Sequence, residues 1–267
     1  NATDVGDLTT AKYVSAGQSS ATHGYVSGGS DAISNVIEKF TFSADANATD
    51  VGDLTVGRRA SAGQSSIVNG FGYTSGGFTF PGAPVNIDQV VIDKFPFSSN
   101  ANATDVGDLT VARGFPASQS STTHGYTSGG YAGQDPSVNG TNIIDKFPFS
   151  SDANATDVGD LTSVRYWIAG QSSTTHGYSS GGYIFGGSTN VIDKFPFTSD
   201  ANATDVGDLT GVRTGSSGQS STTHGYSSGG NDNPLSVIDK FPFSTDANAT
   251  DVGDLTVGRW YAAGQQY

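Results

Sequence analysis

The pentapeptide DVGDL stands at residues 4–8, 50–54, 105–109, 157–161, 205–209 and 251–255, at spacings of 46, 55, 52, 48 and 46 residues. Around each copy the same elements recur in the same order. In the fourth repeat, IAGQSST (168–174) reads as a strand and THG as a tight hairpin turn. YSSGG (178–182) is a second strand, NVIDKFPF (190–197) a third, SDANAT a turn and DVGDLT (205–210) a fourth. Short β-prone runs bounded by Gly, Asn, Asp and Ser give that division. No segment sustains an apolar period of 3.6 residues, so helix is excluded.

A period near fifty made of four short strands is the signature of a propeller blade. The sequence therefore predicts an all-β chain: a five-bladed β-propeller of four-stranded antiparallel blades, its ring closed by pairing of the N- and C-terminal segments. Residues 1–267 form one domain, with repeats at about 10–55, 56–110, 111–162, 163–210 and 211–256. Second and third strands occur five times, whereas DVGDL and the inner strand (AGQSS, ending as AGQQ) occur six times. Residues 1–9 and 257–267 are thus closure, or a surplus half-blade that can be offered to a neighbour through an unpaired edge. Inner strands converge on the axis, which favours Gly, Ala and Ser where backbones crowd. The KFPF phenylalanines, with Ile and Val of VI and Leu of DVGDL, are the expected inter-blade core.

The order GYxSGG, VIDKF, DVGDLT and then the arginine of LTVAR or LTSVR resembles the kelch repeat over the whole chain. The tryptophan usual near the third and fourth kelch strands is missing, and DANATDVGDL is unusually constant from copy to copy. The resemblance implies a diverged kelch-like propeller, of marine phage or environmental bacterial type. It also implies a protein-interaction scaffold as one possible role.

Net charge is −13, from 25 acidic and 12 basic residues. Twelve acids lie in the DVGDL copies and five precede the lysine of IDKF or IEKF, so the charge is built into the scaffold. Such a surface repels nucleic acid and anionic membranes. Without cysteine there are no disulfides or thiolate sites. No run has the apolar length of a membrane span, and no signal-peptide pattern opens the chain. A start at Asn1 suggests a processed or excised form of a longer product.

The copies disagree in two segments: the connection after LT, and the one after the double glycine. In a four-stranded blade both emerge on one face of the ring, while THG and SDANATD emerge on the other. Aromatic residues concentrate in the variable set. Tyr13, Phe78, Phe80, Phe115, Tyr131, Tyr166, Trp167, Tyr183, Phe185, Trp260 and Tyr261, with the unrepeated Arg59, are the candidate ligand-binding residues. Flat aromatics on rigidly supported loops, flanked by Asn, Asp and Ser, suit sugar rings. The alternative is that some of them plug the top of the ring.

Other repeated residues read as scaffold. His23, His124, His176 and His224 share one register in a tight turn, and rotation about the ring keeps them too far apart to meet at one ion. Asp45, Asn47 and Asp53 sit at positions of a calcium-type loop, but Thr49 and Asp50 break the pattern, and Asx-turns account for them. The NAT sequons at Asn1, Asn47, Asn102, Asn154, Asn202 and Asn248, and NGT at 139–141, read as turn chemistry too. Lys12, Arg58, Arg113, Arg165, Arg213 and Arg259 recur at one register and are expected to pair with Asp93, Asp145, Asp193 or Asp239. Gln18, Gln64, Gln119, Gln171 and Gln219 either line a polar channel or bond to adjacent blades.

Catalysis needs a uniquely placed group, and here nearly every charge recurs in each blade. Only Asp31, Asp88, Asp135 and Asp232 are unique acids, one in each of four variable loops. The expectation is a non-enzymatic binding module without cofactor or metal, recognising glycans or another cell-surface ligand. The alternatives are a structural unit of a fibre or virion surface that self-associates through terminal strands, and a kelch-type scaffold for a protein partner. An extracellular or virion-associated setting follows, with no nucleic acid and no membrane insertion.

Overall fold

A computed structural model describes residues 5–29, 33–79, 87–133, 140–230 and 235–264. Its strands form five four-stranded antiparallel blades. Blade one comprises Ala16–Ser19, His23–Ser27, Val36–Thr41 and Thr49–Asp53. Blade two is Ala62–Ser66, Phe71–Ser75, Val91–Pro96 and Thr104–Asp108. Blade three is Ala117–Ser120, His124–Ser128, Ile143–Pro148 and Thr156–Asp160. Blade four is Ala169–Ser172, His176–Ser180, Val191–Pro196 and Thr204–Asp208. Blade five is Ser217–Ser220, His224–Ser228, Val237–Pro242 and Thr250–Asp254. The all-β, five-bladed architecture read from the repeat is therefore the observed one.

Each blade pairs its strands in sequence order, inner to outer. In blade four Gln171 stands opposite Tyr178, Tyr178 opposite Lys194, and Lys194 opposite Thr204. A bulge between Ile192 and Asp193 shifts the outer ladder, and bulges of this kind increase local twist. The inner strands pack so closely that a β-carbon on Gly218 would lie 2.1 Å from the carbonyl oxygen of Gly170. That contact is backbone and cannot swing aside, so glycine is required there.

The core lies between blades. Tyr178 stacks on Phe243 of the next blade with centroids 4.8 Å apart and meets Phe241 at 5.5 Å. Ile192, Leu209 and Ala249 complete that cluster. Tyr25, Tyr73 and Tyr126 repeat the arrangement with Phe97, Phe149 and Phe197. Offset aromatic pairs of this kind add about 0.5–1.5 kcal/mol beyond burial alone.

Beside the apolar core each junction between complete blades holds a buried ion pair. Arg58, Arg113, Arg165 and Arg213 bond Asp93, Asp145, Asp193 and Asp239 at 3.1, 2.6, 2.8 and 2.7 Å. Lys12 and Glu38 take the equivalent places at 3.3 Å. The carboxylate also receives two bonds from the threonine after DVGDL, as from Thr162 N (3.0 Å) and Oγ1 (2.7 Å) to Asp193. Burial pushes these guanidinium groups below the usual arginine value, and the facing aspartate opposes the fall.

A backbone circuit on the axis fixes the ring's geometry. Ala60 N donates to Val14 O, Phe115 N to Ala60 O, Trp167 N to Phe115 O, Gly215 N to Trp167 O, Tyr261 N to Gly215 O, and Val14 N to Tyr261 O. The six bonds, 2.7–2.9 Å long, close on themselves. The ring thus has six angular positions, five filled by complete blades. The terminal segments share the sixth. Asp7 O accepts from Ala48 N as Asp53 O does from Ala103 N, which puts residues 5–8 in the outer-strand place. A β-carbon on Gly264 would lie 2.1 Å from Gly218 O, which puts residues 262–264 in the inner-strand place. The half-blade counted in the sequence is this shared position.

Candidate functional site

Both variable connections do emerge on one face, and they bond to each other. Short antiparallel bridges join Arg59 to Phe78, Gly114 to Tyr131 and Tyr166 to Tyr183. Two of the second-to-third connections carry small hairpins of their own, Phe78–Thr79 with Ile87–Asp88 and Tyr183–Ile184 with Gly187–Ser188. The variable loops are therefore anchored on one another as well as on the blades.

The circuit positions are the base of this face. Val14, Ala60, Phe115, Trp167 and Tyr261 adopt φ of 51–58°, the left-handed region, while Gly215 at 63° meets the same demand without a β-carbon. A left-handed non-glycine residue costs roughly 1–2 kcal/mol, and a β-branched one such as Val14 is a rarer exception still. Strain of this kind persists where surrounding structure over-determines it, and it clusters at ligand-binding surfaces. Here it is held by the circuit and brings Phe115, Trp167 and Tyr261 together around the axis. They line a cavity of about 90 Å³ with Val14, Ala60 and Ile168. Below lies a channel of about 100 Å³ walled by residues such as Ala16, Gly63, Ala169 and Gly218.

The aromatic residues form one connected network. Phe78 meets Phe115 and Tyr131 edge-on at 5.2 and 6.0 Å. Phe115 contacts Trp167 at 5.5 Å and Tyr261 at 6.0 Å. Tyr166 contacts Tyr131, Trp167 and Tyr183 at 5.4, 4.8 and 5.4 Å. Trp260 stacks on Tyr261 at 5.3 Å with planes 14° apart. Burial and the neighbouring phenols push Tyr166 upward, and Tyr261 is pushed up to about 12, burial being the larger cause in both. These two phenols stay protonated at neutral pH, as hydrogen-bond donors. The Trp167 Nε1–H is buried with no partner among the described residues.

The twelve candidates fall into distinct places. Phe78 is 2% exposed and supports the others from beneath. Phe115, Tyr131, Tyr166, Trp167, Tyr183 and Tyr261 are half-buried within the network. Trp260 (49%) and Phe185 (100%) stand out to solvent. Tyr13 is exposed too, and Arg59 Nη1 donates to its hydroxyl at 3.5 Å. Phe80 lies outside the described residues, as do Asp31, Asp135 and Asp232. Asp88 is buried, accepts from Gly133 N at 2.9 Å, and is held above the usual carboxylate range chiefly by burial. Ile168, which also lines the axial mouth, escapes a search for aromatics.

The opposite mouth of the ring holds a cleft of about 230 Å³ lined by Ser65, Ile67, Val68, Ser121, Thr122 and Ser173 among others. Its apolar members come from blade two, where SSIVNG replaces SSTTHG, a departure visible in the sequence.

The repeated polar residues serve the scaffold. Gln18, Gln64 and Gln119 are buried and donate across to Tyr73 O, Tyr126 O and Tyr178 O of neighbouring blades, which settles their two readings in favour of inter-blade bonding. The His124 backbone N–H donates to Ser121 Oγ, and the ring Nδ1 pairs with Thr123 Oγ1. Asp50 Oδ1 accepts from Gly52 N, an Asx-turn, and Asn102 Oδ1 accepts from Asp53 N of the preceding blade. Among the described residues no group of three or more His, Asp or Glu side chains is placed to hold a metal ion.

No protein-family model matches the chain, and no curated protein does. Among solved structures it is similar to that of YjhT, with a TM-score of 0.78 over 97% of this chain and 88% of that one, at 13% identity. At such identity the likeness shows the fold alone. The chain has the fold of a β-propeller.

Proposed function

We propose that the chain is a non-enzymatic binding module of a diverged kelch-like kind. Its variable face holds a glycan or another cell-surface ligand at one off-centre site. The observation that carries this is the aromatic network crowned by the exposed Trp260 on Tyr261, built over backbone held in the left-handed region. An indole stacked from beneath and open above offers a flat apolar face to a sugar ring, and neutral phenols beside it offer hydrogen bonds.

The site is single because the circuit positions are unequal. Aromatics stand at Phe115, Trp167 and Tyr261, whereas Val14, Ala60 and Gly215 fill the others. Five equivalent sugar sites are not supported by that distribution. The absence of catalysis is supported by the engagement of the recurring acids in scaffold bonds, as at Asp93 and Asp145. An acidic surface argues against nucleic acid, and an extracellular or virion-associated setting suits a glycan ligand. A glycan-array screen of the wild type beside Trp260→Ala tests the reading. Binding by the wild type that is lost in the variant is expected, and binding equal in both overturns it.

A further inference from the structure

The four junctions between complete blades share one set of contacts, and the same set is left half-made past blade five. Between blades four and five, Tyr178 is covered by Phe241 and Phe243, and Asp239 receives Thr210 N (2.9 Å), Thr210 Oγ1 (2.7 Å) and Arg213 Nη2 (2.7 Å). Lys194 reaches across to Asp246. In the next junction, the equivalent donors Thr256 and Arg259 are exposed, with no carboxylate partner among the described residues. Tyr226 is only half-buried, where Tyr178 is 3% exposed.

The facing wall, on blade one, is incomplete in the complementary sense. Phe40 and Phe42 match Phe241 and Phe243 but have no tyrosine over them among the described residues, and Phe42 is 50% exposed. Asp45 matches Asp246 and stands exposed with no lysine partner among the described residues. Between the walls runs a cleft of about 350 Å³, bordered by Leu8 and Asp7 on the outer side, Ala262 and Ala263 on the inner side, and Phe40 and Arg259. Residues 5–8 and 262–264 therefore frame a sheet whose two middle strands no described residue supplies.

We propose that this cleft docks a β-hairpin from a partner chain, one that carries the repeat's own middle-strand pattern of G-Y-x-S-G-G followed by V-I-D-K-F-P-F. Its aspartate enters the receptor of Thr256 and Arg259, and its lysine meets Asp45. Its phenylalanines cover Tyr226, and its tyrosine covers Phe40 and Phe42. The two flanking segments pair with its edges, so main-chain bonds supply affinity and the Asp-Lys pair supplies register. The occupant is a free hairpin rather than a second copy, because all five hairpins of each copy are already built into blades.

The test uses the full chain and a labelled peptide of residues 175–197, read by fluorescence anisotropy. Saturable one-to-one binding is expected. Replacing the peptide aspartate (Asp193→Asn) weakens it about tenfold, as expected for loss of a charge-assisted bond. The same replacement has little further effect against the Arg259→Ala protein. A Lys194→Glu peptide, which faces Asp45 with a like charge, binds worse whatever Arg259→Ala does to folding. Hydrogen exchange slows at residues 5–8, 40–42 and 255–264 when peptide is added. The proposal is overturned by absence of saturable binding, by equal affinity of the Asp and Asn peptides, or by protection elsewhere. A dimer in sedimentation that excludes the peptide also overturns it, by seating a second copy in the cleft.

Discussion

Arg165→Ala and Arg259→Ala remove the same side chain from the same repeat register, and the account assigns them opposite consequences. Arg165 is fully buried, its Nη2 lies 2.8 Å from Asp193 and 3.0 Å from Ser179 O, and its Nη1 donates to Val191 O at 3.2 Å. Its removal leaves the Asp193 carboxylate buried with only Thr162 to bond it among the described residues. Breaking a buried pair from one side costs about 3–5 kcal/mol. At roughly 2–4 °C per kcal/mol for a chain somewhat smaller than this one, the melting temperature falls by about 6–20 °C. Arg259 is exposed and faces the open cleft, so its loss changes stability by no more than about 0.5 kcal/mol. Urea and thermal unfolding followed by circular dichroism separate the two. Equal losses refute the reasoning, because they require that Arg259 find a buried acid of its own. A loss within 0.5 kcal/mol for Arg165→Ala refutes it as well, because the ion pair is then idle.

Three further outcomes follow from the same geometry. Gly264→Ala sets a methyl group 2.1 Å from Gly218 O, so it destabilises the fold by about 1–3 kcal/mol, the usual range for overpacking, if residues 262–264 occupy the sixth inner place; an unchanged melting temperature removes them from it. His124 and His176 are held below their ordinary value, chiefly by burial and then by Lys146 and Lys194. The unfolded chain therefore takes up more protons as pH falls below 6.5, and stability is present above that pH and lost below it. A His124→Asn/His176→Asn variant then loses less stability than the wild type between pH 7.5 and 5.5, measured by thermal unfolding, and an identical slope refutes the assignment. Tyr261, raised to about 12, stays protonated through pH 10 in an ultraviolet titration of wild type against Tyr261→Phe; a phenol titrating near 10 contradicts its burial.

The blade count, the strand order and the confinement of variation to one face were legible because they rest on spacing and on turn residues, which a single sequence displays. The pairing of Arg58 with Asp93 was legible too, since both recur in step. The axial circuit was not. Val14, Ala60, Phe115, Trp167, Gly215 and Tyr261 share a backbone angle and a hydrogen bond rather than a side-chain type, so nothing in composition marks them as equivalent. For the same reason the six-position geometry was seen only as an uneven count of strands. Within the candidate site, the aromatic content was plain but its depth was not. Phe78 lies under Phe115 because of where the connections cross, and that crossing is set by the bridge between Arg59 and Phe78, while Trp260 lies against Tyr261 on a connection that carries no such bridge among the described residues.

The central claim is that ligand is held on the variable face, at Trp260 and Tyr261, and not in the larger cleft at the opposite mouth. Glycan-array binding of three proteins tests it: wild type, Trp260→Ala, and Ile67→Ser/Val68→Ser. The account predicts that Trp260→Ala loses the glycans bound by the wild type while the Ile67/Val68 variant keeps them. Loss in the Ile67/Val68 variant with retention in Trp260→Ala would contradict it and move the site to the other end of the ring.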